Sequence, residues 1–223
     1  LLSIVVFLGD NVYPNGLPPV GQPTRKEAQR RLDAQLQVIK HSGARGFFVP
    51  GNHDWEDGGR GGYDAIIRLQ LYVAFLAVNK PNIKYYPEDG CPGPKEILLG
   101  NNVAVIVFDS QWWLHAHDKP EIESDCDSKT EEELFSQIEE MAARNSKKLV
   151  LIACHHPFKS NGPHGGLFTL KQHIFPFTDW RPSLYIPLPI IGSIYPISTS
   201  VFGTPQDIPF PTYQSMINQV TEV

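Results

Sequence analysis

Cysteine is scarce: three residues in 223, Cys91, Cys126 and Cys154. The odd count and the absence of C-x-x-C spacing argue against a structural zinc knuckle. Cys91 and Cys126 sit in polar loops and could pair in an oxidising compartment, whereas Cys154 ends an apolar run and reads as a small buried hydrophobe. Positive charge is also short. Nineteen Lys and Arg against 24 Asp and Glu give a net charge of -5, which leaves no basic footprint for nucleic acid. No internal repeat and no low-complexity tract is visible. No cationic segment precedes the apolar Leu1–Leu8 run and no small-residue cleavage site follows it, so no secretory signal is seen. The chain opens without methionine inside what reads as a strand, which suggests a piece of a longer protein.

What is present describes a globular chain. Apolar residues make up 41% and charged residues 19%, an ordinary folded composition, and the length suits one substantial domain with a sizeable core. Twenty prolines and eighteen glycines point to long, shaped loops.

Hydrophobic periodicity gives the elements. Ser3–Leu8, Gly46–Pro50 and Lys148–Cys154 are short continuous runs, expected as strands covered on both faces. Thr24 and Glu27 have capping-box spacing, and Ala28, Leu32, Leu36 and Ile39 follow at helical period until Gly43. Tyr63–Val78 reads as a helix. Glu96–Leu99 and Val103–Asp109 flank Gly-Asn-Asn as a hairpin. A helix capped by Ser128 and Glu131 carries Leu134, Ile138 and Met141, and Thr212–Val220 reads as a last helix. Alternating strands and helices argue for α/β, and the hairpin favours a mixed or two-sheet version.

Three polar clusters fall at the carboxyl ends of predicted strands, where α/β sheets gather ligands. In Gly9-Asp10-Asn11-Val12-Tyr13, Asp10 either closes a turn or is a carboxylate able to bridge two cations. Tyr13 is either packing or a phenolate ligand. In Gly51-Asn52-His53-Asp54, Asn52 offers a neutral amide oxygen to a hard metal, and His53 can protonate a leaving group near neutral pH. Asp54 would orient that imidazole. His155 and His156 point to opposite sides of an extended backbone, so one can face a site while the other packs. Such oxygen and imidazole donors suit two cations that activate water and clamp phosphate oxygens. Among the rest, His115 and His117 form H-x-H and are expected at the surface or a substrate rim. Trp112 and Trp113 read as loop anchors, and Glu121–Asp127 as a solvated loop. Asn161, Gly165 and His164 could reach the rim, His164 as a catalytic partner or as plain loop surface.

Together the clusters resemble the calcineurin-like metallophosphoesterases, including the purple acid phosphatases. The resemblance covers roughly residues 3 to 170 and implies an α/β/β/α two-sheet sandwich with mixed strands around a dinuclear centre. It implies a phosphate ester substrate, and two divalent or mixed-valence ions of iron, manganese or zinc supplying a hydroxide nucleophile. By motif, Asp10 resembles the bridging carboxylate, Asn52 and His155 ligands of the second metal, and His53 the histidine serving the leaving oxygen. Gly-Asp-Asn-Val-Tyr13 resembles the purple acid phosphatase branch, whose tyrosinate binds ferric iron, and His164 resembles that branch's second phosphate-facing histidine. Two family motifs are missing: an Asp-containing strand before Gly9, and a closing Gly-His-x-His. The expectation is therefore one incomplete domain over 1–223, weakly active apart from the rest of its parent polypeptide. The alternative is a non-catalytic docking module. Residues 174–211, rich in proline, aliphatics and aromatics, stand outside the motif set. They are too interrupted for a spanning helix and are expected as a loop insertion, either a packed lid or a membrane- or partner-contact patch.

Overall fold

The computed structural model describes residues 3–80 and 82–222. The chain forms two compact units, one ending at His156 and one spanning Pro157–Glu222. The first holds two three-stranded sheets. β1 (Ile4–Leu8), β2 (Arg45–Val49) and β3 (Ile83–Tyr85) lie side by side in that order, all parallel. β4 (Lys95–Leu99) pairs antiparallel with β5 (Val103–Val107), which pairs parallel with β6 (Leu149–Ala153). The mixed pairing comes from the hairpin that the Gly100 turn makes possible.

Side chains alternate across each strand, and the alternation builds the layers. Phe47 and Val49 of β2 face Ile97, Val105 and Val107 of the second sheet, forming a core between the sheets. Phe48 points the other way, onto α1 (Arg25–Ser42) and α2 (Gly62–Leu76), among Leu32, Leu36, Ile39, Leu69 and Val73. Burying a side chain of that size contributes about 2–3 kcal/mol. α4 (Glu131–Arg144) buries Leu134 and Ile138 and packs beside β5, and the short α3 (Ser110–Leu114) follows β5 directly. The result is the mixed α/β, two-sheet arrangement expected from the sequence.

Several local expectations need correction. β1 and β6 are edge strands among the described residues and are only half covered; Leu149 is 59% and Leu151 44% exposed. A continuous apolar run cannot distinguish an edge from a central strand. α1 does begin after Thr24, but the Thr24 side chain caps nothing, and Glu27 pairs with Arg30 and Arg31. Gly43 ends α1 in the left-handed region (φ 64°), as glycine permits. α4 is capped by Thr130, which accepts from Glu133 N, two residues later than the Ser128 and Glu131 reading. Cys91 and Cys126 form a disulfide across a separation of 35 residues.

In the second unit, the segment expected as a loop insertion over 174–211 carries helical turns at Pro176–Thr178 and Ile191–Ser193, and the helix α6 (Ile194–Val201). α5 (Leu170–Ile174) precedes them, with a full capping box between Thr169 and Gln172, and α7 (Pro211–Thr221) ends the unit. Pro176 and Pro211 stand at the first positions of their helical segments, where a missing N–H costs nothing.

Candidate metal and phosphate site

Four loops leave carboxyl ends of strands in the first unit: Gly9-Asp10-Asn11 after β1, Gly51–Asp54 after β2, Asp109-Ser110 after β5, and His155-His156 after β6. Gly9 sits at φ 87°, and a Cβ there would lie 2.5 Å from His155 Nδ1. A Cβ on Gly51 would lie 2.5 Å from Asp10 Oδ1. Both positions need glycine so that the loops can close on one another. Asp10 itself holds a positive φ of 53°, a strained conformation for a residue with a side chain.

The closure brings three donor atoms together. His155 Nε2 is 3.0 Å from Asn52 Oδ1 and 3.4 Å from Asp10 Oδ1. Each group's other end is already committed. His155 Nδ1 lies 2.7 Å from the Leu8 carbonyl, which can only accept, so Nδ1 carries the proton and Nε2 presents a lone pair. Asn52 Nδ2 donates to Asp57 Oδ1 at 3.0 Å, which turns the amide oxygen toward His155. Asp10 Oδ2 accepts from the Tyr13 hydroxyl, and Oδ1, the oxygen that faces His155, also accepts from His53 N at 3.1 Å. Three electron-rich atoms thus meet, and either an added proton on Nε2 or a cation must lie among them. Two donors each about 2.1 Å from one ion at a right angle stand about 3 Å apart, which matches the observed separations. The set therefore fits a metal ion. Among the described residues no three His, Cys, Asp or Glu side chains gather as a metal group; this cluster has two of those types and an amide. Tyr13 completes the rim. Its hydroxyl donates to Asp10 Oδ2 at 2.7 Å, and that bond, then burial and the nearby carboxylates, push its pKa up to about 12.

Asp54 is not the orienting carboxylate of His53 expected from the sequence. It is fully buried and accepts from Asn11 N, Asn11 Nδ2, Val12 N and Gly51 N at 2.9–3.1 Å. It ties the β1 loop to the β2 loop. Burial pushes its pKa up to about 7, against the N–H donors of Asn11 and Gly51, which pull it down. His53 is oriented instead by the Pro14 carbonyl, 2.5 Å from Nδ1, and by Tyr13, whose ring centre is 4.2 Å away. This contact leaves His53 Nε2 free of backbone.

The adjacent histidines divide as their alternation requires. While His155 faces Asp10 and Asn52, the buried His156 takes Ser110 Oγ at 2.8 Å. Ser110, Asp109 and Asp57 escaped the sequence reading. Asp109, expected as the last strand residue, lies past the end of β5; it is fully buried, caps α3, and accepts from Trp55 Nε1 at 2.8 Å. The signal for it is the polar Asp-Ser pair just past the end of β5, in the same position as the polar clusters after β1, β2 and β6. Trp55 thereby joins the β2 loop to the β5 loop.

His115 is also corrected. It is buried, not at the surface, and lies tilted against Trp55 with ring centres 4.7 Å apart, with neither ring nitrogen hydrogen-bonded. Burial, then His117, pushes its pKa down to about 4. Trp112 and Trp113 are buried, Trp112 donating to Pro120 O. His164 lies in the second unit, where its exposed ring contacts the buried Asp207 at 2.8 Å through Nδ1.

Compared with known proteins, residues 2–185 match the family model of the calcineurin-like phosphoesterases. No curated protein and no solved structure matches the chain. With most of its length matched, the chain belongs to the calcineurin-like phosphoesterase family.

Proposed function

We propose that the chain is a metal-dependent phosphoesterase that hydrolyses phosphate esters at a dinuclear centre. The observation that carries this is the meeting of three lone-pair donors, with Asn52 Oδ1 and Asp10 Oδ1 at 3.0 and 3.4 Å from His155 Nε2. Asp10, Asn52 and His155 would hold metal, with the Tyr13 oxygen beside Asp10. When bound, the ions would polarise phosphate oxygens and lower the pKa of water. The chain's own residues do the rest. Asp10, held at positive φ, keeps its carboxylate aimed inward, and Asp54 fixes the β1 and β2 loops, which carry two of the three donors. His53 Nε2, left free by the Nδ1 contact to Pro14, delivers a proton to the leaving oxygen. The Gly-Asp-Asn-Val-Tyr13 run favours the purple acid phosphatase branch, in which His164 corresponds by motif to a histidine that faces the phosphate.

Neither a Gly-His-x-His nor a strand Asp motif before Gly9 occurs in these 223 residues, so turnover by this chain is expected to be weak. The test is hydrolysis of p-nitrophenyl phosphate with added Mn²⁺, Zn²⁺ or iron. The expected result is slow, chelator-sensitive hydrolysis that falls by about 10²-fold or more in His53→Ala. Hydrolysis indifferent to chelator and to His53→Ala contradicts the proposal, and no hydrolysis with any metal returns the chain to the docking-module reading.

A further inference from the structure

The second unit exposes a concentration of large apolar side chains. Ile190, Ile191, Ile194, Ile197, Val201 and Phe202 are each more than half exposed. Ile194, Ile197 and Val201 fall at i, i+3 and i+7 of α6, which is one face of a helix. Pro196 and Thr199, on the other side, are buried. Soluble monomers rarely leave a continuous apolar face of this kind uncovered.

Its surroundings select the occupant. No charged residue occurs between Arg181 and Asp207. From Pro157 to Phe202 the cations are Lys159, Lys171 and Arg181 against the single carboxylate of Asp179, in a chain whose net charge is -5. Lys171 lies over the Tyr185 ring, 5.1 Å from its centre, so a cation borders the apolar segment. Trp180, beside Arg181, is 80% exposed. Aliphatic side chains flanked by Trp, Tyr and cations make up the composition of a segment lying in a bilayer interface. Among the described residues no helix is long and apolar enough to cross a membrane.

We propose that residues 180–202 form an interfacial membrane-binding surface, with α6 and the Ile190-Ile191 turn entering the acyl boundary and Lys171 and Arg181 meeting anionic headgroups. This does not depend on the phosphoesterase reading. Trp180 serves as a built-in reporter, because Trp55, Trp112 and Trp113 are buried. The experiment adds vesicles of phosphatidylcholine, alone or with phosphatidylserine, to the chain, and records Trp emission and flotation in a density gradient. Expected are a saturable blue shift absent from Trp180→Phe, flotation favoured by phosphatidylserine and weakened by salt, and at least about tenfold weaker binding for Ile194→Glu/Ile197→Glu. An unchanged melting temperature of that variant would show that its fold is intact. Lys171→Glu/Arg181→Glu, which leaves the apolar face alone, should lose the phosphatidylserine preference. No shift or flotation at any lipid concentration overturns the proposal, as does equal binding by the Ile variant. A concentration-dependent dimer that needs Ile194 and Ile197 and excludes lipid also overturns it, by assigning the face to a second copy.

Discussion

Replacing Asp54 by alanine should unfold the chain more readily as well as disable its site. The wild-type carboxylate accepts four N–H groups, three of them backbone amides of Asn11, Val12 and Gly51 that cannot turn toward water. Asp54 is fully buried, so truncation leaves these donors without a partner. Each such orphan costs about 1–3 kcal/mol. Part is returned because burying the carboxylate is itself unfavourable, as its pKa of about 7 indicates. The net loss should be about 2–4 kcal/mol. In urea, with a slope of about 2–3 kcal/mol per molar, the midpoint should fall by about 1 M. Asp54→Asn keeps one acceptor oxygen and should lose about half as much. A midpoint within about 0.2 M of wild type for Asp54→Ala, with only hydrolysis impaired, would refute the loop-clamp role and restore the orienting role for His53.

Three further consequences can be checked in the same denaturation assays. His115, buried with two unpaired nitrogens, should be replaceable by phenylalanine with a gain of about 1 kcal/mol at neutral pH. Its folded pKa of about 4 lies below the unfolded value of 6.5, so wild type loses stability as pH falls through that window. The gap between His115→Phe and wild type should therefore widen, by up to about 3 kcal/mol at pH 4, and a constant gap would contradict the burial argument. Reducing the Cys91–Cys126 disulfide, which closes a separation of 35 residues, should cost about 3–4 kcal/mol; an unchanged urea midpoint with dithiothreitol would remove it as a stabilising link.

The sheet strands other than β3, the α1 face and the three donor loops are readable because each rests on local pattern: apolar runs, helical apolar spacing, and polar residues at a strand end; the three-residue β3 is too short to carry such a pattern. Pairings between distant loops are not readable. Asp54 follows His53 in sequence, which suggested a partner, yet the donors that claim it come mainly from Asn11 and Val12, 43 and 42 residues away. The His115 misreading has the same origin, since its burial depends on Trp55 and Gly62 from another segment. The exposed edges of β1 and β6 were hidden because an apolar run states nothing about how many neighbours a strand has. In the second unit, proline-rich sequence suggested a loop, although proline at a first helical position is compatible with the short turns that form there.

If Asp10, Asn52 and His155 hold a cation, removing any one of them must weaken metal binding. Calorimetric titration of Mn²⁺ or Zn²⁺ into the metal-stripped chain, beside Asn52→Ala and His155→Ala, tests it most directly. Saturable wild-type binding that weakens by at least about tenfold in each variant, with unchanged urea midpoints, is the predicted result. Equal affinity in all three proteins, or no binding in any, would contradict it.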